Sequence, residues 1–359
     1  MKLTAQIKLV VTKTQAKALK ETLARANAAC DSISAWAWGN QTFGQFAIHK
    51  GVYHSVKEQF GLSAQVVVRC IAKVADAYKL DKKVQRTFQP TGAIAFDDRI
   101  LRWYMEAGQV SIWTVDGRLK LSFVCGERQR KMLVSQQGES DLVFVDGQFY
   151  LLAVCNMQEP PLIEPSGVLG VDLGIVELAT DSEGNSYSGE AVKAMRRRVR
   201  AHRSGLQKTG TKRAKRTLKK MSLKASRFTR HTNHVISKQL VQSALSSQKA
   251  LALETLTGIR ERSNGFNREM RWQMGNWAFD QMKTFITYKA KAVGVPVVFV
   301  DPHNSSRTCS ACGYCDKANR KSQSCFLCLQ CGFQMNADKN AALNLEARGK
   351  VNSPKVAIA

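Results

Sequence analysis

The spacing of apolar residues predicts a strand at the start of the chain, followed by helices. Every second residue from Leu3 to Leu9 is apolar, which is typical of a strand with one buried face. From Thr14 the apolar residues recur every three or four positions, and the same spacing predicts a further helix over Ser63–Lys79. Two or more helices are therefore expected within residues 14–85.

After Pro90 the pattern returns to strands. The segments SIWTVDGRLKLSF (111–123) and DLVFVDGQFYLLAV (141–154) each place Asp-Gly between alternating runs, a strong hairpin signal. The N-terminal strand has no partner nearby in sequence, so we expect it to join this sheet. The helices would then be an insertion into a small β-barrel, and PPLIEP (160–165) has the composition of a linker.

From Gly167 onward, strands and helices alternate. The segment GVLGVDLGIVELATD (167–181) predicts adjoining strands, and KALALETL (249–256) and VPVVFVD (295–301) predict buried strands. Between the first two lies a basic helical stretch, Lys193–Arg230, with sixteen Lys or Arg residues and no acid. A solvated helix face is one interpretation. We favour phosphate binding, because like charges without acidic partners repel one another along a free helix.

Composition narrows the class of protein. The chain has 359 residues, long enough for two or three domains, and its net charge is +26. Such a charge favours nucleic acid as the partner over an anionic membrane surface, for which no amphipathic anchor is evident. The apolar runs are too short to span a bilayer, and the first residues lack a signal-peptide core. We therefore expect a cytoplasmic protein, associated with the nucleoid when bound to DNA.

Six of the ten cysteines lie between Cys309 and Cys331. Reduced cysteines clustered in this way indicate a metal site, although free thiols or an iron–sulfur centre are alternatives. Several C-x-x-C pairs are possible, and glycine after the second cysteine of a pair favours a zinc knuckle. The predicted ligands of one structural Zn²⁺ are Cys309, Cys312, Cys328 and Cys331. Cys315 and Cys325 are left over.

Three acidic residues stand in segments where a charge needs a partner. Asp172 and Glu254 lie in apolar strands, and Asp338 starts a helical pattern. Each could simply be a strand-end or helix-terminal charge. If the three converge, divalent cations must offset their repulsion, and carboxylate oxygens suit Mg²⁺. Two such ions support phosphodiester hydrolysis.

The order of these motifs resembles the RuvC nuclease half of the TnpB family, which is encoded by transposons and related to type V CRISPR effectors. The matching segments are GVDLG (170–174), the basic helices, LETL (253–256), the cysteine ribbon and NADKNAALNL (336–345). The resemblance covers about residues 168–346. The chain is short for the family and has two extra cysteines, but no catalytic acid is missing.

The resemblance implies a multidomain α+β fold. Its implied parts are a wedge β-barrel (1–13 and 86–160), a helical recognition insertion (14–85), an RNase H-like RuvC domain (166–304 and 334–348), an inserted zinc ribbon (305–333) that binds target nucleic acid, and a disordered tail (349–359).

It also implies an RNA-guided DNA endonuclease, in which Asp172, Glu254 and Asp338 bind two catalytic Mg²⁺ ions. The partners would be a guide RNA derived from the transposon end and a target DNA beside a short motif, with no membrane. One protein per RNA is expected, and a dimer remains open. The residues expected to bind nucleic acid are Arg196, Arg197, Arg198, Arg200, Lys212, Arg213, Lys215, Arg216, Lys219 and Lys220. The alternatives are a compact type V CRISPR effector and a non-catalytic zinc-ribbon DNA-binding regulator.

Overall fold

The computed structural model describes residues 1–255, 265, 267–275 and 277–352. The chain divides into two compact units, Met1–Gln158 and Glu159–Ala359. The boundary falls beside the predicted linker at 160–165, which forms neither helix nor strand. Within the described ranges, no helix combines the length and the apolar character needed to cross a membrane.

The first unit contains a seven-stranded antiparallel sheet. Its strands are β1 (Lys2–Val10), β2 (Ile94–Phe96), β3 (Leu101–Tyr104), β4 (Gln109–Thr114), β5 (Gly117–Val124), β6 (Gln136–Val145) and β7 (Gln148–Asn156). The order is β2-β6-β7-β1-β5-β4-β3, so β1 pairs with β7 and β5. The prediction that the N-terminal strand joins the later sheet is confirmed. Only residues 97–100 separate the two edge strands along the chain, and the sheet curls into a nearly closed barrel.

Both predicted hairpins are present, but their turns differ. The second hairpin turns at Asp146 and Gly147, whose φ angles of 50° and 80° are those of a type I′ turn. The first hairpin turns one residue earlier than its Asp-Gly pair suggests. Thr114 pairs with Gly117, so the two residues between them form the loop, and Gly117 starts the next strand with a φ of 100°.

Helices fill the stretch between β1 and β2, and a short helix follows β5. They are α1 (Lys13–Gly39), α2 (Gln45–Phe60), α3 (Ala64–Leu80) and α4 (Glu127–Leu133). The two helices predicted from apolar spacing are confirmed as α1 and α3. Thr12 and Ser63 cap them through side-chain oxygens that accept backbone N–H bonds. Their buried faces, which include Ile33 and Ile71, share one hydrophobic core with Ile7 of β1.

The second unit is built on a five-stranded mixed sheet. Its strands are β8 (Gly167–Asp172), β9 (Glu177–Asp181), β10 (Ser186–Ser188), β11 (Lys249–Glu254) and β12 (Val297–Val300). The order is β10-β9-β8-β11-β12; β8, β11 and β12 are parallel, whereas β9 and β10 are antiparallel to their neighbours. The predicted strands are present, although Leu256, the last residue of one segment, lies outside the described residues. The prediction that 295–301 is buried is wrong: β12 is an edge strand, and Val300 is the one buried residue within it.

The described residues of this unit also form five helices. They are α5 (Glu190–Thr209), α6 (Lys212–Ser246), α7 (Arg268–Gly275), α8 (Phe279–Ala292) and α9 (Ala337–Asn352). The basic stretch thus forms a hairpin of two helices, α5 and α6. The chain reverses at Gly210, whose φ of 66° is left-handed, and the Thr211 side chain caps α6 by accepting a bond from Ala214 N.

Two short strands pair at the end of the cysteine ribbon: β13 (Cys325–Leu327) lies in the ribbon, and β14 (Gln334–Asn336) follows it and leads directly into α9. Helix α9 continues four residues into the segment expected to be a disordered tail. Its last turn is ordered because Gly349 packs closely against Val168 and Ala252 of the sheet. Residues 353–359 lie outside the described part of the chain.

Candidate functional site

Two of the predicted acids lie side by side at the carboxyl ends of parallel strands. Asp172 ends β8 and Glu254 ends β11, and the pairing of Val171 with Leu253 brings the two acids to the same level. The Leu173 backbone N–H donates a hydrogen bond of 3.3 Å to Oε1 of Glu254. Glu254 is buried and Asp172 is partly buried, so the two carboxylates share a site largely shielded from water.

The third acid arrives from α9, which lies directly against β8. A Cβ atom on Gly170 would stand 2.0 Å from the Ala342 carbonyl oxygen and 2.5 Å from the Glu346 nitrogen. Glycine is therefore required for this helix to approach the strand. The side chain of Asn336 caps the helix by accepting a bond from the Asp338 N–H at 2.9 Å. These contacts place the buried Asp338 in the first turn of α9, at the carboxylate end of the sheet.

The three acids influence one another electrostatically. Burial raises the pKa of Asp172 to about 7, and the charge of Asp338 adds to the rise. Burial and then the charge of Asp172 raise the pKa of Glu254 to about 8, against the opposing hydrogen bond from Leu173. Burial also raises the pKa of Asp338, while Arg320 opposes the rise. Asp172 therefore lies close enough to both Asp338 and Glu254 for their charges to interact. The three carboxylates do not all approach within 4.8 Å of one another; among the described residues, the four cysteines below are the set that does.

Arg320 is a residue of this site that the sequence analysis missed. Its Nη2 donates to Oδ1 of Asp338 at 3.1 Å and to the carbonyl of Gln323 at 3.0 Å. A backbone bridge to Phe326 holds it within the ribbon. Nothing in the local sequence distinguishes Arg320 from the other basic residues of the ribbon, because its partner lies eighteen positions further along the chain.

The four predicted cysteines form a single cluster. Their sulfur atoms all lie within 4.8 Å of one another, with 3.7 Å between Cys309 and Cys331 and 3.6 Å between Cys312 and Cys328. Four sulfurs bound tetrahedrally to zinc at about 2.3 Å would lie about 3.8 Å apart, close to these distances. Cys315 and Cys325 are not in the group that the described residues form.

The glycines that selected these cysteines adopt the backbone shape that a knuckle needs. Gly313 and Gly332 have φ angles of 79° and 73°, which favour glycine. Each donates its N–H to the carbonyl of the first cysteine of its pair, at 2.9 Å for Cys309 and 3.0 Å for Cys328. The two halves of the ribbon therefore have the same turn.

Two buried asparagines of α9 fasten the ribbon to the helix that carries Asp338. Asn340 donates to the Thr308 carbonyl at 2.8 Å and accepts a bond from the Ser310 N–H at 3.0 Å. Asn344 donates to the Thr308 and Ser305 carbonyls at 2.7 and 2.8 Å. The cysteine cluster and the acid cluster are thus linked through one helix.

The predicted nucleic-acid contacts differ in their surroundings. Arg196 is partly buried, and Arg200 is already paired with Glu269 at 2.6 Å while lying over the ring of Trp272. The other eight are exposed and form no ion pair with any described residue. They are Arg197, Arg198, Lys212, Arg213, Lys215, Arg216, Lys219 and Lys220. This exposed set, which we call the basic hairpin surface, has the charge and accessibility that phosphate binding requires.

Two family models match parts of this chain. The family model described as "Probable transposase" matches residues 152–257, which include Asp172 and Glu254. The model described as "Cas12f1-like, TNB domain" matches residues 279–345, which include the four cysteines and Asp338.

Curated relatives agree with these matches. A CRISPR-associated endodeoxyribonuclease Cas12f1 of Syntrophomonas palmitatica is 30% identical over 48% of this chain and 37% of that protein. A TnpB-like protein of Methanocaldococcus jannaschii is 35% identical over 31% of this chain and 40% of that protein. The "Putative RNA-guided DNA endonuclease InsQ" of Escherichia coli is 26% identical over 76% of this chain and 64% of that protein. The predicted resemblance to the TnpB family is confirmed: this chain is a homologue of TnpB-like and Cas12f proteins.

The fold is also found in a solved structure. The chain aligns with a Cas12f1–sgRNA–target DNA complex with a TM-score of 0.61 and 16% identity, covering 94% of this chain and 83% of that one. At this identity the likeness concerns the fold alone. By sequence, the chain spans less than half the length of the Cas12f1 relatives that it matches.

Proposed function

We propose that this chain is an RNA-guided DNA endonuclease of a transposable element. The observation that carries the proposal is the convergence of Asp172, Glu254 and Asp338 from three distant segments. Buried carboxylates that raise one another's pKa are costly, and active sites are where such groups concentrate. The names of the TnpB-like, InsQ and Cas12f relatives support RNA-guided cleavage of DNA.

The order and direction of β8–β12 support an RNase H-like, RuvC-type nuclease domain over residues 166–304 and 334–348. The ribbon at 305–333 would be its inserted target-binding module. In the first unit, residues 1–13 and 86–160 would form the wedge barrel, and residues 14–85 the recognition insertion. The barrel shape of the sheet and the position of α1–α3 between β1 and β2 favour this division.

The acid cluster suits Mg²⁺. Its donors are carboxylate oxygens, which Mg²⁺ prefers, and a divalent cation would offset the repulsion that raises their pKa values. Asp172, Glu254 and Asp338 would hold the ions, with Glu254 oriented by the Leu173 N–H and Asp338 by Arg320. Bound Mg²⁺ supplies an activated water and stabilises the leaving oxygen of the phosphodiester. The basic hairpin surface would bind phosphates of the nucleic acid near this edge of the sheet.

The cysteine cluster suits Zn²⁺. Four sulfurs at nearly tetrahedral spacing leave no open position, so the ion would be structural rather than catalytic. Through Asn340 and Asn344 it would also stabilise the start of the helix that carries Asp338.

The test is to sequence the RNA that co-purifies with the full-length protein and then to supply that RNA, reprogrammed, with Mg²⁺ and a randomised target library. We expect a transposon-end RNA and cleavage of matching DNA beside one short motif. Recovery of a repeat RNA transcribed from a CRISPR array would instead favour the compact type V CRISPR effector, the alternative that the similarity to Cas12f1 proteins supports. Specific target binding without cleavage under any guide would favour the zinc-ribbon regulator.

A further inference from the structure

A polar cleft separates the α5–α6 hairpin from α7 in the second unit. Its volume of about 410 Å³ is in the range of small-ligand sites. On the α5 side it is lined by arginines spaced four and three residues apart, on one helix face: Arg196, Arg200 and Arg203. The α6 side presents hydroxyl groups with the same spacing: Ser222, Ser226 and Thr229. Arginine and hydroxyl side chains are common phosphate partners.

Arg196 and Arg203 line this cleft without forming an ion pair with a described residue, and Arg196 is the less exposed of the two. It is partly buried, and burial lowers the pKa of its guanidinium group. A partly buried cation is costly unless an anion accompanies it. Arg200 differs, because Glu269 already accepts a bond from it. The cleft is therefore suited to an added anionic group near Arg196.

Two tryptophans also line the cleft. The guanidinium group of Arg200 lies 4.6 Å from the Trp272 ring centre, and Trp277 packs against Phe279 with 5.2 Å between ring centres. Aromatic rings beside arginines provide the surface on which unpaired bases stack. A base pair within a duplex has both faces covered, so this feature favours a single strand.

The cleft lies near the acid cluster. Helix α6 ends at Ser246 and the chain turns into β11 at Lys249, so α6 runs back along the sheet. Its 35 residues extend for roughly 50 Å, whereas the six residues of β11 extend for roughly 20 Å. The N-terminal part of α6 thus projects past the edge where Glu254 lies. Leu173, the neighbour of Asp172, shares a small adjoining cavity with Arg196.

We propose that this cleft holds one unpaired nucleotide of the DNA strand presented to the acid cluster. The base lies against Trp272 and Trp277, and its phosphate is bound by Arg196 and Arg203. The assignment of the strand rests on the proposed nuclease function. The binding chemistry itself, arginines and hydroxyls around aromatic rings, rests on the cleft alone.

The test measures binding of a short fluorescent oligothymidylate, and of a duplex of equal length, to the full-length protein without guide RNA or Mg²⁺. Trp272→Ala should weaken single-strand binding by about fivefold to a hundredfold, the usual range for one stacked base, and leave duplex binding nearly unchanged. Trp272→Phe, which keeps an aromatic face, should recover most of the affinity and shows that the cleft still folds.

Charge is tested separately with a matched pair of arginines on α5. Arg203→Ala and Arg198→Ala remove the same charge from exposed positions, but only Arg203 lines the cleft. The Arg203 variant should lose clearly more single-strand affinity. Equal losses in the two variants, or a Trp272→Ala variant that loses duplex and single-strand binding alike, would overturn the proposal.

An oligouridylate of the same length distinguishes DNA from RNA. If the protein binds the oligouridylate more tightly than the oligothymidylate, and Trp272→Ala abolishes that preference, then DNA is rejected as the occupant of the cleft. Since none of these assays uses a guide or a cut, a protein that never cleaves could still pass them. Failure of the cleft and failure of the nuclease proposal are therefore separate results.

Discussion

At the scale of single residues, the acid cluster combines charges that are difficult to keep ionised together. Burial and the charge of Asp338 raise the pKa of Asp172, whereas burial and the charge of Asp172 raise the pKa of Glu254. Such a cluster is poorly suited to stabilising the fold, since removing one carboxylate relieves repulsion. Cations bound by the acids, as proposed above, would offset that repulsion.

Asp172→Asn keeps the size of the side chain and removes its charge. We expect DNA cleavage to fall by several orders of magnitude, because a metal ligand is lost, while guide and target binding change little. The free energy of unfolding without metal should stay the same or rise. Cleavage gels and binding assays run on one preparation check this, and continued cutting by the variant would remove Asp172 from the site.

The cysteine cluster predicts one zinc ion per chain. Cys309→Ser should lose the ion, because three thiolates and a hydroxyl bind it poorly, and should destabilise the second unit. Cys315→Ser is the matched control from the same ribbon and should keep the full zinc content. Elemental analysis of the purified proteins measures both, and full zinc content in a variant lacking both Cys309 and Cys331 would reject the ligand set.

Gly170 sets the distance between β8 and α9. In Gly170→Ala the new methyl group would collide with the helix backbone, so α9 must shift and carry Asp338 with it. We expect a loss of about 1–3 kcal/mol in the free energy of unfolding, and strongly reduced cleavage.

Gly205→Ala is the control for that substitution. Gly205 lies in the exposed helix α5, and nothing stands within 4 Å of the added carbon. Because alanine favours the helix by about 1 kcal/mol over glycine, this variant should be as stable as the original or slightly more so. Denaturant unfolding measures the stability of both variants. An equal loss of stability in Gly170→Ala and Gly205→Ala would contradict the packing argument.

At the scale of elements, the basic hairpin surface should account for much of the salt dependence of nucleic-acid binding. Replacing Lys212, Arg213, Lys215 and Arg216 with glutamine should flatten the plot of log affinity against log salt by up to about 0.9 per lost duplex phosphate contact. Arg200→Gln is a useful comparison, because Glu269 already neutralises that arginine. If the variant with four substitutions shows the same slope of log affinity against log salt, the basic hairpin surface is solvated and does not bind phosphates.

Most of the elements could be predicted from local patterns. Alternation identified β1, apolar runs identified β8, β11 and β12, and glycine placement identified the four cysteines. The features that could not be predicted from the sequence depend on partners that are distant along the chain. Arg196 and Arg200 look like any other arginine in the basic run, and Arg320, Asn340 and Asn344 acquire their roles only through contacts across the ribbon. A turn can also be displaced, as at Thr114, because strand register competes with local preference.

At the scale of the whole molecule, no single segment of the sequence could predict that Asp172, Glu254 and Asp338 converge. Each acid alone fits a strand end or a helix terminus. Only the parallel pairing of β8 with β11, and the close approach of α9 at Gly170, bring the three together. A fold-level resemblance was needed to choose between these interpretations, since spacing in sequence carries little information about neighbours 80 residues apart.

The contribution of Asp338 by the last described helix has a consequence during synthesis. The ribosome makes the barrel, the basic hairpin and two of the three acids before it reaches α9. If the proposed function is correct, a nascent chain that has not yet reached α9 would already carry the basic hairpin surface but would lack Asp338. The ability to bind nucleic acid would then arise before the ability to cut it.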